Sequence, residues 1–282
     1  MDRRESISSY DLHTHSTCSD GVYAPEEVVA RAAAAGVTCL ALTDHDETAG
    51  VDAARKRAIE ESVEFIAGVE ISVSWREHTL HVIGLQVDSD NTELSTGLAR
   101  VRAGRDERAR RIARELERAG IGGSLEGARR RAANPRLIGR AHFARYLVDA
   151  GYVADFGGAF RLWLGSGAPG YVAHRWAGLE EAMRWISASG GLAVLAHPAR
   201  YKLRSCQRDE FLAVFRDLGG VGVEVVSGNH TRDEAAGWAR HAKRFGLLAS
   251  AGSDFHGPVG GLDPIGRLPQ LPLGCAPVWT KF

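Results

Sequence analysis

A chain of 282 residues with 44% hydrophobic side chains can bury a substantial core, which excludes a disordered protein and allows one large domain or two smaller ones. Its 35 Lys and Arg balance 35 Asp and Glu, so the molecule as a whole has no electrostatic reason to coat duplex nucleic acid or an anionic membrane. No segment approaches the roughly 18 apolar residues of a bilayer span, MDRRESISSYD lacks the apolar stretch of an export signal, and Cys18, Cys39, Cys206 and Cys275 lack the paired spacing of disulfides or thiolate zinc sites, so a cytoplasmic protein with small or few partners is expected.

The first apolar run, ISSYDLH at 7–13, predicts a strand leading into HTHSTCSDG, with His13, His15 and Asp20. PEEVVARAAAAG follows as a helix, with Pro25 and acidic residues at its start and Gly36 at its end. VTCLALT at 37–43 predicts the second strand and runs into TDHD, which holds His45. VEFIAGVEIS at 63–72 and TLHVIGLQV at 79–87 predict the third and fourth, carrying Glu70 and His81. Between about 88 and 173 the alternation stops. Leu98, Val101, Ala109, Ile112, Ala113 and Leu116 recur near helical spacing, so this stretch reads as a mostly helical insertion. Its arginines (Arg105, Arg108, Arg110, Arg111, Arg114, Arg118) are interleaved with Asp106, Glu107, Glu115 and Glu117, the pattern of a solvated helix face. The alternation then resumes with the helix LEEAMRWISASGG, a strand GLAVLAH at 191–197 ending on His197, and a strand GVGVEVVSG at 220–228 carrying Glu224. The helix DEAAGWARHAKRFG and the strand GLLASAGSD at 246–254 complete it, with Asp254 and His256 at the end.

Strands alternating with helices predict parallel βαβ units, hence a barrel or open α/β sheet in which strand ends converge on one rim. That rim collects His13, His15, Asp20, His45, Glu70, His81, His197, Asp254 and His256. Residues two apart in extended backbone face the same way, so His13 with His15, and Asp254 with His256, can aim at one interior point. Crowded carboxylates and imidazoles would suffer repulsion and desolvation, which divalent cations reverse. An all-nitrogen and oxygen donor set suits Mn²⁺, Fe²⁺ or Zn²⁺. At about three or four protein ligands per ion, such a set suffices for three ions if one carboxylate bridges. Cys18 reads as a small loop residue. Glu224 reads equally as an outer hydrogen-bonding partner or a structural residue.

In order, His-x-His-x4-Asp-Gly, TDHD, GVEIS, a single histidine, AHP and GSDFH resemble the polymerase and histidinol phosphatase (PHP) superfamily over residues 11–256. That resemblance implies a distorted (β/α)7 barrel of residues 7–87 and 174–282, with 88–173 as the helical insertion after the fourth strand. It also implies three divalent ions, Mn²⁺ first among the choices, and it alone divides the residues among them. His13, His15, Glu70 and Asp254 would hold one ion; Glu70, His81 and His197 the second; Asp20, His45 and His256 the third.

Closely spaced divalent ions favour phosphoester hydrolysis, with no serine or cysteine nucleophile required. Arginine binds phosphate bidentately, so Arg140 with His142, and Arg200 with Lys202, are candidate substrate contacts, as are Asn229 and His230. His142 and His230 are candidate general acids; Trp163, Tyr171 and Trp176 could stack on a base but suit buried packing better. The short first loop, the insertion and the AHP to SDFH tail resemble the bacterial nucleoside 3′,5′-bisphosphate phosphatases, some of which act as 5′-to-3′ exoribonucleases. This implies removal of the 3′-phosphate of adenosine 3′,5′-bisphosphate, or action on short single-stranded RNA 5′ ends, with no obligate protein partner. The alternatives are a histidinol phosphatase or other small-molecule phosphatase, a metal-dependent amidohydrolase and a noncatalytic RNA-binding module.

Overall fold

The computed structural model describes residues 9–135, 137–228, 230–258 and 264–282. The seven apolar runs form strands: β1 (Tyr10–Thr14), β2 (Cys39–Leu42), β3 (Glu64–Trp75), β4 (His78–Leu85), β6 (Leu192–Leu195), β7 (Gly222–Ser227) and β8 (Leu248–Gly252), with a two-residue β5 (Ala177–Gly178) added beside β3. Their order is β1-β2-β3-β4-β6-β7-β8. The ring is nearly closed where Asp254 N donates to His13 O (2.8 Å) and His15 N to Phe255 O (2.8 Å). The fold is the expected distorted seven-stranded α/β barrel.

One premise needs correction. The strands are not all parallel, because β4 runs antiparallel to both β3 and β6. Only Arg76 and Glu77 join β3 to β4, far too few residues for the crossover that a parallel pair requires. Arg76 takes a positive φ of 53° in this hairpin. His81 therefore reaches the rim from the first half of its strand, directly across from Ser72 and beside the stretch of β3 that carries Glu70.

Around the barrel pack α1 (Pro25–Ala34), α2 (Val51–Glu61), α7 (Leu179–Ala188), α8 (Ser205–Asp217) and α9 (Arg232–Phe245). Their ends follow the sequence signals. Pro25 opens α1, Thr231 and Glu234 form a reciprocal capping box on α9, and Gly246 closes α9 with φ 68°. Strands covered on both faces read as nearly continuous apolar runs, and Val69, Ile71, Val73, Leu80, Val82, Leu195, Val223 and Val225 are buried in the main core.

Between β4 and β5, in the stretch read as an insertion, lie α3 (Thr92–Arg118), α4 (Ser124–Arg129), α5 (Arg140–Asp149), α6 (Phe156–Ala159) and a π-helical turn at Phe160–Leu164. At 27 residues, α3 is long enough to serve two cores. Leu94, Leu98 and Val101 pack in the main core, while Ala109, Ile112 and Leu116 join Phe143, Leu147 and Leu164 in a separate one. Gly97 permits the approach of α7, since a Cβ there would lie 2.4 Å from the Trp185 ring.

Arg105 departs from the expected solvated face. Arg110 and Arg118 do pair with Asp106 and Glu115 at the surface, but Arg105 is buried, with Nε 2.7 Å from Asp46 Oδ2 and Nη2 2.8 Å from Ser72 Oγ. Helical periodicity cannot separate a buried arginine from an exposed one when its partner lies 59 residues away. Arg105→Met leaves the Asp46 carboxylate buried without its cation and is expected to lower unfolding stability by about 3 kcal/mol. Urea denaturation of Arg105→Met beside the surface variant Arg110→Met tests this; equal, small losses would show the pair to be peripheral.

Candidate metal centre

The centre is built around Glu70, which is fully buried on β3. Its Oε1 lies 2.8 Å from His81 Nδ1 and 2.8 Å from His197 Nε2. Its Oε2 lies 2.8 Å from His45 Nδ1 and 3.4 Å from both His13 Nε2 and His15 Nε2. One carboxylate thus meets five imidazoles drawn from β1, β4 and the segments after β1, β2 and β6.

Backbone geometry brings those segments in. After β2, Asp46 N donates to Glu70 O (2.9 Å) and Glu70 N to Asp44 O (3.1 Å), which locks His45 beside Glu70. Asp44 accepts from Ser16 N (2.7 Å), Ser16 Oγ (2.6 Å) and Ser19 Oγ (2.5 Å), folding the first loop so that Asp20 returns to the rim. There Asp20 Oδ1 is 3.1 Å from His256 Nε2 and 3.9 Å from His45 Nε2. After β8, Asp254 Oδ1 lies 3.2 Å from His15 Nε2 and 3.4 Å from His13 Nε2. Three of these residues take left-handed backbone, Asp46 (φ 51°), His197 (φ 24°) and Asp254 (φ 54°). Such conformations cost non-glycine residues about 1–3 kcal/mol each and cluster at functional sites. Gly252 is needed for close approach, since a Cβ there would sit 2.3 Å from His13 Cβ.

Glu224, left open between two roles, is a buried hydrogen-bonding partner of the cluster. Its Oε1 is 2.8 Å from His13 Nδ1, and its Oε2 accepts from His197 N. It turns the other ring nitrogen of His13 toward Glu70 and Asp254.

The charges are tightly coupled. Burial opposes ionisation of Glu70, but His45, His81 and His13 outweigh it and hold the carboxyl well below the usual range. Asp20 and Asp254 are likewise held well below theirs, against burial, by His256 with His45 and by His13 with His256. Burial, then the neighbouring His256, pushes His15 down to about 3, while Asp20 and Asp254 overcome burial to raise His256 to about 9. Even so, several buried donors and acceptors lack a hydrogen-bond partner: His13 Nε2, both ring nitrogens of His15, Asp20 Oδ1, His45 Nδ1, Glu70 Oε2, His197 Nδ1 and Asp254 Oδ1. Buried polar atoms are rarely left unpaired. Lone pairs of nitrogen and oxygen converging in this way fit divalent cations.

Three sets offer ligand atoms within 4.8 Å of one another: His13, His15, Glu70 and Asp254; His15, Asp20, His45 and His256; and His45, Glu70 and His81. The first is the quartet that the resemblance assigns to one ion. The second adds His15 to the expected trio. In the third, His45 stands where His197 was expected, with His197 on the same Glu70 oxygen as His81.

The expected substrate contacts are more dispersed. Arg200 is at the centre, 2.5 Å from Asp254 Oδ2. Arg140 opens α5 half-buried, 5.6 Å above the Phe160 ring. His142 is buried, its Nδ1 accepting from Gly139 N (3.0 Å), and burial holds its ring down at about 4. Lys202 is exposed. His230 Nδ1 donates to Val225 O (3.1 Å), and Asn229 lies outside the described residues. Trp176 is buried beneath the guanidinium groups of Arg105 (4.7 Å) and Arg108 (5.2 Å), Trp163 is partly buried in the insertion core, and Tyr171 is exposed. Cys18 is half-buried and its carbonyl accepts from Asn134 Nδ2 (2.8 Å).

Sequence reasoning missed Asp44, Asp46, Arg105 and Tyr201, whose hydroxyl accepts from His81 N (2.9 Å). The signal for the first two was present in TDHD. Carboxylates on either side of His45 point away from it and brace the neighbouring segments.

The PHP domain family matches residues 11–134. Over 276 residues the chain is 47% identical to the 3′,5′-nucleoside bisphosphate phosphatase of Chromobacterium violaceum, covering 98% of this chain and 97% of that protein. The chain belongs to the PHP family. It is also 42% identical over 273 residues to a 5′-3′ exoribonuclease of Haemophilus influenzae, covering 97% of this chain and 98% of that one. Among solved structures, an amidohydrolase from Chromobacterium violaceum, with bound sulfate and no metal, superposes with a TM-score of 0.94 at 47% identity, covering 97% of this chain and 95% of that one.

Glu224→Ala would strand His13 Nδ1 and His197 N in a buried setting. A loss of about 2 kcal/mol in unfolding stability is expected, measured by urea denaturation of the metal-free protein; unchanged stability would mean that both groups find other partners.

Proposed function

We propose that this PHP enzyme is a metal-dependent phosphatase that removes the 3′-phosphate of nucleoside 3′,5′-bisphosphates, leaving the 5′-monophosphate. The observation that carries this reading is the convergence of three overlapping nitrogen and oxygen donor sets, two of which share Glu70. His13, His15, Glu70 and Asp254 would hold one ion; Glu70 with His81, His197 and His45 a second; and Asp20, His45 and His256, with His15 beside them, a third. Mn²⁺ is the first choice, with Fe²⁺ or Zn²⁺ also compatible with these donors. Bound there, such ions supply activated water and neutralise phosphoryl oxygens.

The protein's own residues do the rest. Glu224 orients His13 and the backbone of His197. Arg200 faces the centre and can turn from Asp254 to a phosphoryl oxygen. Farther out, burial and then the charges of Arg140 and Arg105 push Arg108 down to about 9, and burial also lowers Arg140. Neither Arg108 nor Arg140 has a carboxylate within ion-pair distance among the described residues, so the insertion concentrates cation where a second phosphate would be welcomed. His142 accepts a hydrogen bond from Gly139 N at Nδ1 and is held neutral near pH 7 by burial, so it can donate from Nε2 to a substrate oxygen but is a poor general acid. His230 donates its Nδ1 proton to Val225 O.

Identity to the phosphatase from Chromobacterium violaceum supports the mononucleotide substrate, and identity to the exoribonuclease from Haemophilus influenzae supports a second reading, in which short RNA 5′ ends enter the same site. The amidohydrolase reading fares worse. A lysine bridging two ions would have to lie in the cage, but Lys56, Lys202, Lys243 and Lys281 are all exposed.

Phosphate release from adenosine 3′,5′-bisphosphate with Mn²⁺, beside AMP, histidinol phosphate and a chelated control, tests the assignment. Selective, chelator-sensitive release from the bisphosphate is expected, and preference for histidinol phosphate would replace this reading. Asp254→Asn should lower turnover on the order of 100-fold or more together with bound metal, and near-normal turnover would contradict the proposed centre. Arg140→Ala should lower kcat/KM for the bisphosphate about 10- to 100-fold, as expected for loss of a charged hydrogen bond; unchanged efficiency would remove Arg140 from the site.

A further inference from the structure

The three donor sets differ in how they are held. In the quartet around Glu70, His13 and Glu70 project from barrel strands, and Glu224 and the β1–β8 closure brace them. The set of His15, Asp20, His45 and His256 draws all its members from segments beyond strand ends, and is the more open, with side-chain exposures of 14% for Asp20, 14% for His45 and 29% for His256. Loop ligands need bracing from outside their own backbone, because a loop fixes its side chains less sharply than a strand does.

The insertion supplies that bracing. From α5, Arg145 Nη2 donates to Asp20 O (2.9 Å), and Asn134, before it, donates to Cys18 O (2.8 Å). From α3, Arg102 Nη1 donates to Asp46 O (2.7 Å), and Arg105 Nε to Asp46 Oδ2 (2.7 Å). Asp46 in turn accepts from Ser72 N (2.7 Å), so the left-handed residue directly after His45 is clamped between α3 and β3. Four side chains of the insertion therefore close on the two loops that carry Asp20 and His45. The two loops also join directly, Asp44 accepting from Ser16 and Ser19, and the insertion adds a second brace from outside to that contact.

We propose that Arg145 and Arg105 are positioning residues that assemble the outer cation position, the one made by His15, Asp20, His45 and His256, so that the insertion governs loading of that ion while the barrel alone builds the Glu70 quartet. This rests on the metal reading given above and adds a division of labour to it. A fold that detached the insertion would keep the inner position and lose the outer one.

The test is Mn²⁺ titration calorimetry of the full-length, metal-stripped protein, with ions per chain counted by elemental analysis after desalting, for wild type, Arg145→Met, Arg145→Lys and Arg131→Met. Arg131 lies on the same insertion but pairs with Asp149 and Gly127 O, and among the described residues it makes no hydrogen bond to either ligand loop. Arg145→Met should weaken the weakest Mn²⁺ step about 10-fold or more, the usual cost of losing an outer support of a ligand. It should lose about one ion per chain on desalting and leave the tighter steps unchanged. Arg145→Lys, which can still donate to the Asp20 carbonyl, should restore most of the binding, and Arg131→Met should match wild type. Wild-type titration by Arg145→Met, or weakening of every step in parallel with a lower Tm, would overturn the proposal by making Arg145 an ordinary packing residue. Failure of the wild-type protein to take up Mn²⁺ would overturn the metal reading itself, and the proposal with it.

Discussion

A single buried carboxylate, Glu70, organises this molecule. Five imidazoles crowd against its two oxygens, and no arrangement of ordinary hydrogen bonds satisfies them all. The barrel can be read as the scaffold that makes this crowding tolerable. Apolar strands hold the backbone rigid, Glu224 and Asp44 brace from behind, and the excess of lone pairs is left pointing inward, where divalent cations would take them up. Membership of the PHP family and likeness to phosphate-ester hydrolases follow the same logic, since cations taken up by such a nitrogen and oxygen cage would be matched to phosphoryl oxygens.

Much of this was legible in the residues. Each of the seven apolar runs became a strand because β-branched stretches bounded by glycine and polar loops have few other ways to be buried. The polar residues at their ends met at one rim because a period of two carries information about facing, as His13 and His15 illustrate. The direction of β4 was not legible from the apolar pattern, which is the same for either direction. The decisive fact was the length of the Arg76–Glu77 connection, and the strand boundaries set that length.

What the sequence concealed was long-range pairing. Arg105 sits in a run of arginines and acids that looks uniformly solvated, yet it is buried against Asp46. Tyr201 and Arg145 each donate or accept at the backbone of a residue more than a hundred positions away, and a backbone atom leaves no trace in the sequence. The side chains that bear the cage were readable because chemistry restricts their type. Those that support it were not, because many residue types can reach a carbonyl.

The left-handed backbone at Asp46, His197 and Asp254 carries one more consequence. Glycine would adopt each of these conformations with least strain, but it would also delete the side chain that the site is built from. Stability and chemistry thus pull in opposite directions at three positions around one site. Selection for thermal resistance alone would reward their relaxation, so a lineage that no longer needed the reaction would lose its centre from the backbone outward while keeping its barrel.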